Sequence, residues 1–318
     1  MMSCGGQTYY YEETGNVFHT YYRIKYRSER ILTNEIETEL RAFDLSLNPF
    51  NPNSTVAKVN RNEDTEVDAW FASVFTKAME VSEKSGGLFD VTAAPLINVW
   101  GFGFERKDSV TPHVLDSLKT FVGYRKVRLE GNRVVKDDPR LMLNFSAIAK
   151  GYACDVVAAA LEREGVKDYM IDIGGEVAVA GLNPHGECWR IGINTPEEGA
   201  PATEDHLSEI VRLCRKCGMA TSGNYRNFYV KDGKRYAHTI NPSTGYPSEN
   251  TILSATIVAP DCMTADAYAT AFMVMGAEDA RRMAEGIPEI AYYIICTGAD
   301  GNDEVLYSAT MEEMIGKR

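Results

Sequence analysis

The sequence predicts an α+β fold made mainly of antiparallel sheet, with helices inserted between groups of strands. Three observations carry this. Several strand-like runs are joined by hairpin-type turns, at Glu130-Gly131-Asn132, Lys231-Asp232-Gly233-Lys234 and Asp300-Gly301-Asn302-Asp303, so that successive strands lie antiparallel. Helical periodicity is confined to a few segments that stand between those runs. No internal repeat, low-complexity tract or linker divides the chain, so residues 16–318 read as one domain behind a tail of residues 1–15.

In chain order, the first helix is expected over 33–45, opened by Thr33-Asn34-Glu35-Ile36 and carrying Ile36, Leu40 and Phe43 on one face. A longer one covers 64–84 and ends at Gly86-Gly87. An Ala-rich helix over 146–164 starts at Ser146 and stops at Gly165, a C-cap glycine. Helices over 264–275 and 277–285 stop at Gly276 and Gly286. Strands are expected over 19–27, 126–129 with 133–136, 169–180, 189–194, 227–230 with 235–240, 253–258, and 289–296 with 304–308. Residues 210–219 also alternate like a strand.

Composition narrows the function classes. The 318 residues are 44% hydrophobic and 25% charged, which is globular rather than disordered. Lys and Arg number 33 against 45 Asp and Glu, for a net charge of −12. Without a basic cluster, that charge argues against nucleic-acid binding and against adsorption to an anionic membrane. No apolar run is long enough for a spanning helix. The opening Met1-Met2-Ser3-Cys4-Gly5-Gly6 has neither a basic region nor an apolar one, yet Cys4 before two glycines looks like the end of a bacterial lipoprotein signal; a stray cysteine is the equal alternative. Among seven cysteines, Cys214-Arg215-Lys216-Cys217 is a single CxxC without a second pair, so strand thiols are a better reading than zinc ligands.

Six segments place polar residues where loops meet regular elements. Gly87-Leu88-Phe89-Asp90-Val91-Thr92-Ala93-Ala94-Pro95-Leu96, followed by Trp100-Gly101-Phe102-Gly103, could wall a planar ligand or form a packed corner. Asn144-Phe145-Ser146-Ala147-Ile148-Ala149-Lys150-Gly151 brings a lysine to a helix start. That suits a phosphate but lacks the glycine spacing of a Walker A loop, and a Ser N-cap with a solvated lysine explains it as well. Gly174-Gly175-Glu176 inside a strand pattern suggests a bulge or a close backbone approach. Ala220-Thr221-Ser222-Gly223-Asn224-Tyr225 reads as a polar loop after a strand. His238, before Thr239-Ile240-Asn241-Pro242, sits at a strand end as either an exposed general base or a structural histidine. Asp266 and Thr270 are four residues apart on one helix face, a pair of hard oxygen ligands suited to Mg²⁺ or else a cap and a buried threonine.

In this order the segments read G-x-F-D-x-T-x-x-P-L…W-G-F-G, A-K-G-Y-A-x-D, G-G-E, A-T-S-G-N-Y, H-x-I-N-P-x-T-G and A-D-A-x-A-T-A. The joint pattern resembles the ApbE family of FAD:protein FMN transferases, from about Phe18 to about Gly276. The resemblance implies an ApbE-like (T-fold-like) architecture. It also implies Mg²⁺-dependent transfer of FMN from FAD to a Thr or Ser of a flavoprotein partner with release of AMP, and a bacterial periplasmic or envelope location, anchored by a lipid on Cys4. By position it implies Mg²⁺ ligands at Asp266, Thr270 and Ala147, and Lys150 on the FAD diphosphate. Contacts to FAD are implied at Phe18, Phe50, Leu88, Phe89, Asp90, Asn144 and Thr239. Asn144 stands where many relatives have Asp, and Ala269 where some have a second Asp. His238 is expected to accept the proton of the target hydroxyl. The rival expectations are an FAD pyrophosphatase, which gives FMN to water, and a non-catalytic FAD-binding lipoprotein.

Overall fold

The structure, a computed structural model, describes residues 7–103, 110–196, 207–224, 228–231, 234–237 and 239–316. His238 and Cys4 lie outside them. From the N-terminus the elements are β1 (Tyr9–Val17), β2 (Thr20–Ser28), α1 (Thr33–Leu47), α2 (Thr55–Asn60), α3 (Ala69–Lys84), α4 (Ala94–Val99), α5 (Pro112–Lys119), β3 (Val127–Glu130), β4 (Arg133–Lys136) and α6 (Ala149–Arg163). They continue with β5 (Tyr169–Ile173), β6 (Glu176–Ala180), β7 (Trp189–Asn194), β8 (Leu207–Leu213), β9 (Cys217–Gly223), β10 (Phe228–Lys231), β11 (Lys234–Ala237) and β12 (Ile252–Ala259). The last are α7 (Cys262–Met275), α8 (Ala277–Glu285), β13 (Ala291–Thr297), β14 (Asp303–Tyr307) and α9 (Ala309–Ile315).

Eight strands form one sheet in the order β1-β2-β5-β6-β9-β12-β13-β14, every neighbouring pair antiparallel. The α+β expectation holds. Alternate residues of the central strands go to opposite faces. Ile171, Ala178, Ile257 and Ile294 pack with helices α1, α3, α6 and α7, whereas Val177, Val179, Val258 and Ile295 pack under the β7–β8 ribbon and α9. Because both faces are covered, β6, β12 and β13 are apolar nearly throughout instead of alternating. Helix α1 buries Ile36, Leu40, Phe43 and Leu47, the expected stripe extended by one turn.

Several expectations are corrected. Residues 9–15, read as tail, belong to the edge strand β1, paired to β2 along its whole length. The helix expected from residue 64 begins at Ala69, because the Asp68 side chain accepts from Phe71 N and caps it there. Ser146 does not cap α6: its N–H donates to Asn144 Oδ1 in a local turn and the helix starts at Ala149. Gly174 and Gly175 form no bulge. Both have positive φ (67° and 103°) and make the two-residue turn of the β5–β6 hairpin, where Ile173 faces Glu176. Residues 220–223 are the end of strand β9 and not a loop. The run over 210–219 breaks between β8 and β9, and Cys214 is no ordinary strand thiol. Trp189 on β7 faces Leu213 on β8, so the next residues out, Cys188 and Cys214, face each other with Cα atoms 4.5 Å apart and form a disulfide. Cys217, the other half of the CxxC, is a buried free thiol. Among the described residues no helix is long and apolar enough to cross a membrane.

Candidate active site

Helices α6 and α7 cross where Gly151 meets Cys262. A Cβ on Gly151 would fall 2.3 Å from the Cys262 carbonyl oxygen and 2.7 Å from Asp266 Cβ, so only glycine permits this approach. The contact is reinforced at the helix ends. Asp155, in the middle of α6, accepts from Cys262 N and Met263 N at 2.9 and 2.8 Å, while Asp261 accepts from Thr264 N at 2.7 Å as the N-cap of α7. The aspartate of the A-K-G-Y-A-x-D pattern therefore clamps one helix to the start of the other. Burial raises its carboxyl pKa to about 7, against the pull of those two N–H groups.

The crossing faces a cavity of about 850 Å³. All eleven described residues singled out from sequence line it: Phe18, Phe50, Leu88, Phe89, Asp90 and Asn144 from its walls, and Ala147, Lys150, Thr239, Asp266 and Thr270 from its polar end. The twelfth, His238, lies outside the described residues; its neighbour Thr239 donates to Asn224 Oδ1 at 2.9 Å.

At the polar end, Asp266 is 4% exposed and its Oδ2 accepts from Gly151 N at 3.0 Å. In a regular helix that N–H would go to the Ala147 carbonyl four residues earlier. Here no backbone N–H among the described residues reaches that carbonyl, which leaves it available to a ligand. Thr270, one turn after Asp266, shares a hydrogen bond with Ser222 of β9, 3.2 Å between hydroxyl oxygens. Lys150 Nζ lies 2.5 Å from Glu176 Oε1. Burial raises the carboxyl pKa of both Glu176 and Asp266, opposed by Lys150; burial also works against the Lys150 ammonium, but Glu176 and Asp266 outweigh it and hold its pKa above the ordinary lysine value. Glu176 and Ser222 were not singled out from sequence as site residues. An acid at the start of the apolar run Glu176-Val177-Ala178-Val179-Ala180 was the available signal for the first.

The walls are more apolar. Phe18 and His19 form the β1–β2 turn with φ of 51° and 60°, unusual for residues other than glycine. The turn sets the Phe18 ring 5.5 Å from Phe43 and the His19 ring edge-on to Phe50 at 5.7 Å. Two predicted ligand contacts have other duties. Asp90 Oδ1 accepts from Thr92 N and Oγ1 at 2.7 and 2.6 Å, and Oδ2 accepts from Tyr124 N at 2.9 Å, so the carboxyl secures a wall loop. Asn144 Oδ1 is occupied by Ser146 N at 2.9 Å. Trp100, from the same sequence segment as Asp90, donates its indole N–H to the Gly245 carbonyl at 2.8 Å and joins two of the sequence segments.

The donor set at the polar end fits a hard divalent cation: one carboxylate, hydroxyls and a backbone carbonyl, all oxygen. Among the described residues no three His, Cys, Asp or Glu side chains gather as an all-protein cage. Such a site suits a cation like Mg²⁺, which keeps waters and takes ligands from a bound phosphate. With an aromatic mouth and an acid–lysine–hydroxyl interior, the fold and cavity define an α+β protein with a site for one large ligand that carries both ring and anionic groups.

The comparisons give this class its family. The ApbE family model matches residues 18–294, and the chain belongs to that family. A curated FAD:protein FMN transferase of Vibrio cholerae is 35% identical over 307 residues, covering 93% of this chain and 90% of its own. The Escherichia coli K12 protein of the same name is 32% identical, covering 85% and 78%. The structure of the Vibrio cholerae flavin transferase ApbE superposes with a TM-score of 0.86 at 33% identity, over 97% of this chain and all of that one. The apo flavinyl transferase ApbE of Pseudomonas stutzeri gives 0.86 at 28% identity over the whole of both chains.

Proposed function

We propose that this protein is an FAD:protein FMN transferase, which moves FMN from FAD to a hydroxyl of an acceptor protein. The observation that carries the reading is the gathering, in one cavity, of eleven residues drawn from segments spread along the chain. Asp266, Thr270 and the Ala147 carbonyl would hold Mg²⁺, whose charge, when bound, would offset that of the diphosphate. Lys150 borders the same space and binds the diphosphate oxygens, and the ring walls take the isoalloxazine. The acceptor is a Thr or Ser: its oxygen bonds to the FMN-side phosphorus, the bond from that phosphorus to the bridging oxygen breaks, and AMP leaves. His238, adjacent to Thr239, takes the hydroxyl proton. Phosphoryl transfer of this kind depends on positioning and charge neutralisation more than on covalent help from the protein. The Cys188–Cys214 disulfide supports a location in an oxidising compartment such as the periplasm or cell envelope, where a lipid on Cys4 would tether the chain.

The test incubates the purified protein with FAD and Mg²⁺, with and without a flavoprotein domain bearing a candidate acceptor threonine. Intact mass is read on the acceptor and AMP in solution. An FMN-sized mass gain that EDTA abolishes is the expected result. AMP without that gain, across acceptors, replaces the reading with FAD pyrophosphatase, and bound FAD with neither product replaces it with a flavin carrier.

A further inference from the structure

Lys150 does not present a free positive charge to the cavity. Its ammonium touches Glu176 Oε1 at 2.5 Å, and the acid is buried in a fixed place. Glu176 is 5% exposed, follows directly on the Gly174–Gly175 turn and begins β6; its carbonyl accepts from Cys154 Sγ at 3.2 Å, one helical turn beyond Lys150 on α6. Its second oxygen, Oε2, is buried and has no hydrogen-bond partner among the described residues. The other basic residues that line the cavity do not replace Lys150: Arg23 is tied to Glu12 at 2.6 Å, and Arg190 is exposed on the β7–β8 ribbon. Around the crossing, one ammonium is set against two carboxylates, Glu176 and Asp266. A bare diphosphate entering there meets no unpaired positive charge. The same diphosphate carrying a divalent cation brings its own.

We propose that Glu176 makes the cavity selective for a diphosphate accompanied by a divalent cation, by neutralising Lys150 in the free protein. The inference rests on the reading that FAD places its diphosphate at Lys150 and Asp266. Without Glu176, Lys150 and Asp266 would balance, and the ammonium would be free to take the bare anion. Removing the acid should therefore strengthen one mode of binding, which loss of a merely structural residue does not do.

The experiment measures FAD binding by quenching of flavin fluorescence, in EDTA and in excess Mg²⁺, with no acceptor present. The wild-type protein should bind at least about tenfold more tightly with Mg²⁺. Glu176→Gln should gain about tenfold in EDTA and narrow the difference, and adding Lys150→Met should remove that gain. A folded Glu176→Gln protein with unchanged or weaker metal-free binding overturns the proposal. Should that variant not fold, the wild type still decides, because equal affinity in EDTA and Mg²⁺ also overturns it. A wild-type protein that binds no FAD even with Mg²⁺ overturns the reading of the site itself and this inference with it.

Discussion

The backbone N–H of Gly151 in α6 donates to Oδ2 of Asp266 in α7 at 3.0 Å, so the helix that carries Lys150 and the helix that carries Asp266 and Thr270 are tied at the site itself across a glycine contact, beside the two bonds that Asp155 accepts from Cys262 and Met263. The bond orients the carboxylate and at the same time diverts an amide from the Ala147 carbonyl. One residue type at one position thus shapes two of the oxygen donors expected to hold the cation.

Gly151→Ala is the direct test of that arrangement. The added methyl would sit 2.3 Å from a backbone oxygen that cannot swing aside, so the helices must separate. Overpacking of this kind costs about 1–3 kcal/mol. We expect a lower urea midpoint, together with Mg²⁺ affinity reduced by about tenfold or more as Asp266 moves with its helix. Urea denaturation and calorimetric Mg²⁺ titration check the two effects. An alanine variant with wild-type values in both would mean that the helices have room to spare.

Asp266→Asn separates stability from metal binding. Burial raises the Asp266 carboxyl pKa, so the charge is held there at a cost, and the isosteric amide can still accept from Gly151 N. The variant should melt at or above the wild-type temperature while it loses Mg²⁺ binding and most of its transfer activity, about a hundredfold or more. A variant that retained full turnover at limiting Mg²⁺ would remove Asp266 from the metal site.

The residues singled out from the sequence share one cavity, whereas several elements around them begin and end elsewhere than expected. Asp266 and Thr270 are four residues apart, so helical spacing alone puts them on one face, and Lys150 and Gly151 are chain neighbours at one helix start. The antiparallel class was equally legible from its turns. What stayed hidden depended on partners distant in sequence. Glu176 acquires its meaning from a lysine 26 positions earlier across a sheet–helix interface. Cys214 looked like half of a CxxC until the β7–β8 register brought Cys188 opposite it. Asp90 lines the cavity as expected, but the partner of its Oδ2 is Tyr124 N, 34 residues away, which no local pattern discloses. The short helices α2, α4 and α9 span only six or seven residues, too few for periodicity to register.

The disulfide predicts a redox-dependent stability. Cys188 and Cys214 are 26 residues apart and close the base of the ribbon whose residues Arg190, Ile191 and Gly192 line the cavity. Closing a loop of that length stabilises by about 3.5 kcal/mol in the chain-entropy model. Cys188→Ser with Cys214→Ser should lower the urea midpoint accordingly and should weaken FAD binding more than it slows turnover of bound FAD. Fluorescence titration against single-turnover rates distinguishes these, and a double serine variant as stable as the oxidised wild type would show that the ribbon needs no covalent support.

Asp155 gives the protein a pH dependence whose sign is fixed by burial. Its carboxyl is raised from 3.8 to about 7 in the folded state. Between those values the folded protein holds a proton that the unfolded chain has released, so this site's contribution is fully present below the lower value and is lost as pH rises through the upper one. Asp155→Asn removes the titration and retains one acceptor for the N–H groups of Cys262 and Met263. The unfolding free energy of the wild type should therefore fall more steeply from pH 4 to pH 8 than that of the variant. Urea denaturation at pH 5, 6, 7 and 8 measures both slopes. Parallel slopes would assign the pH dependence to groups other than Asp155, and a steeper fall in the variant would reverse the sign argued here.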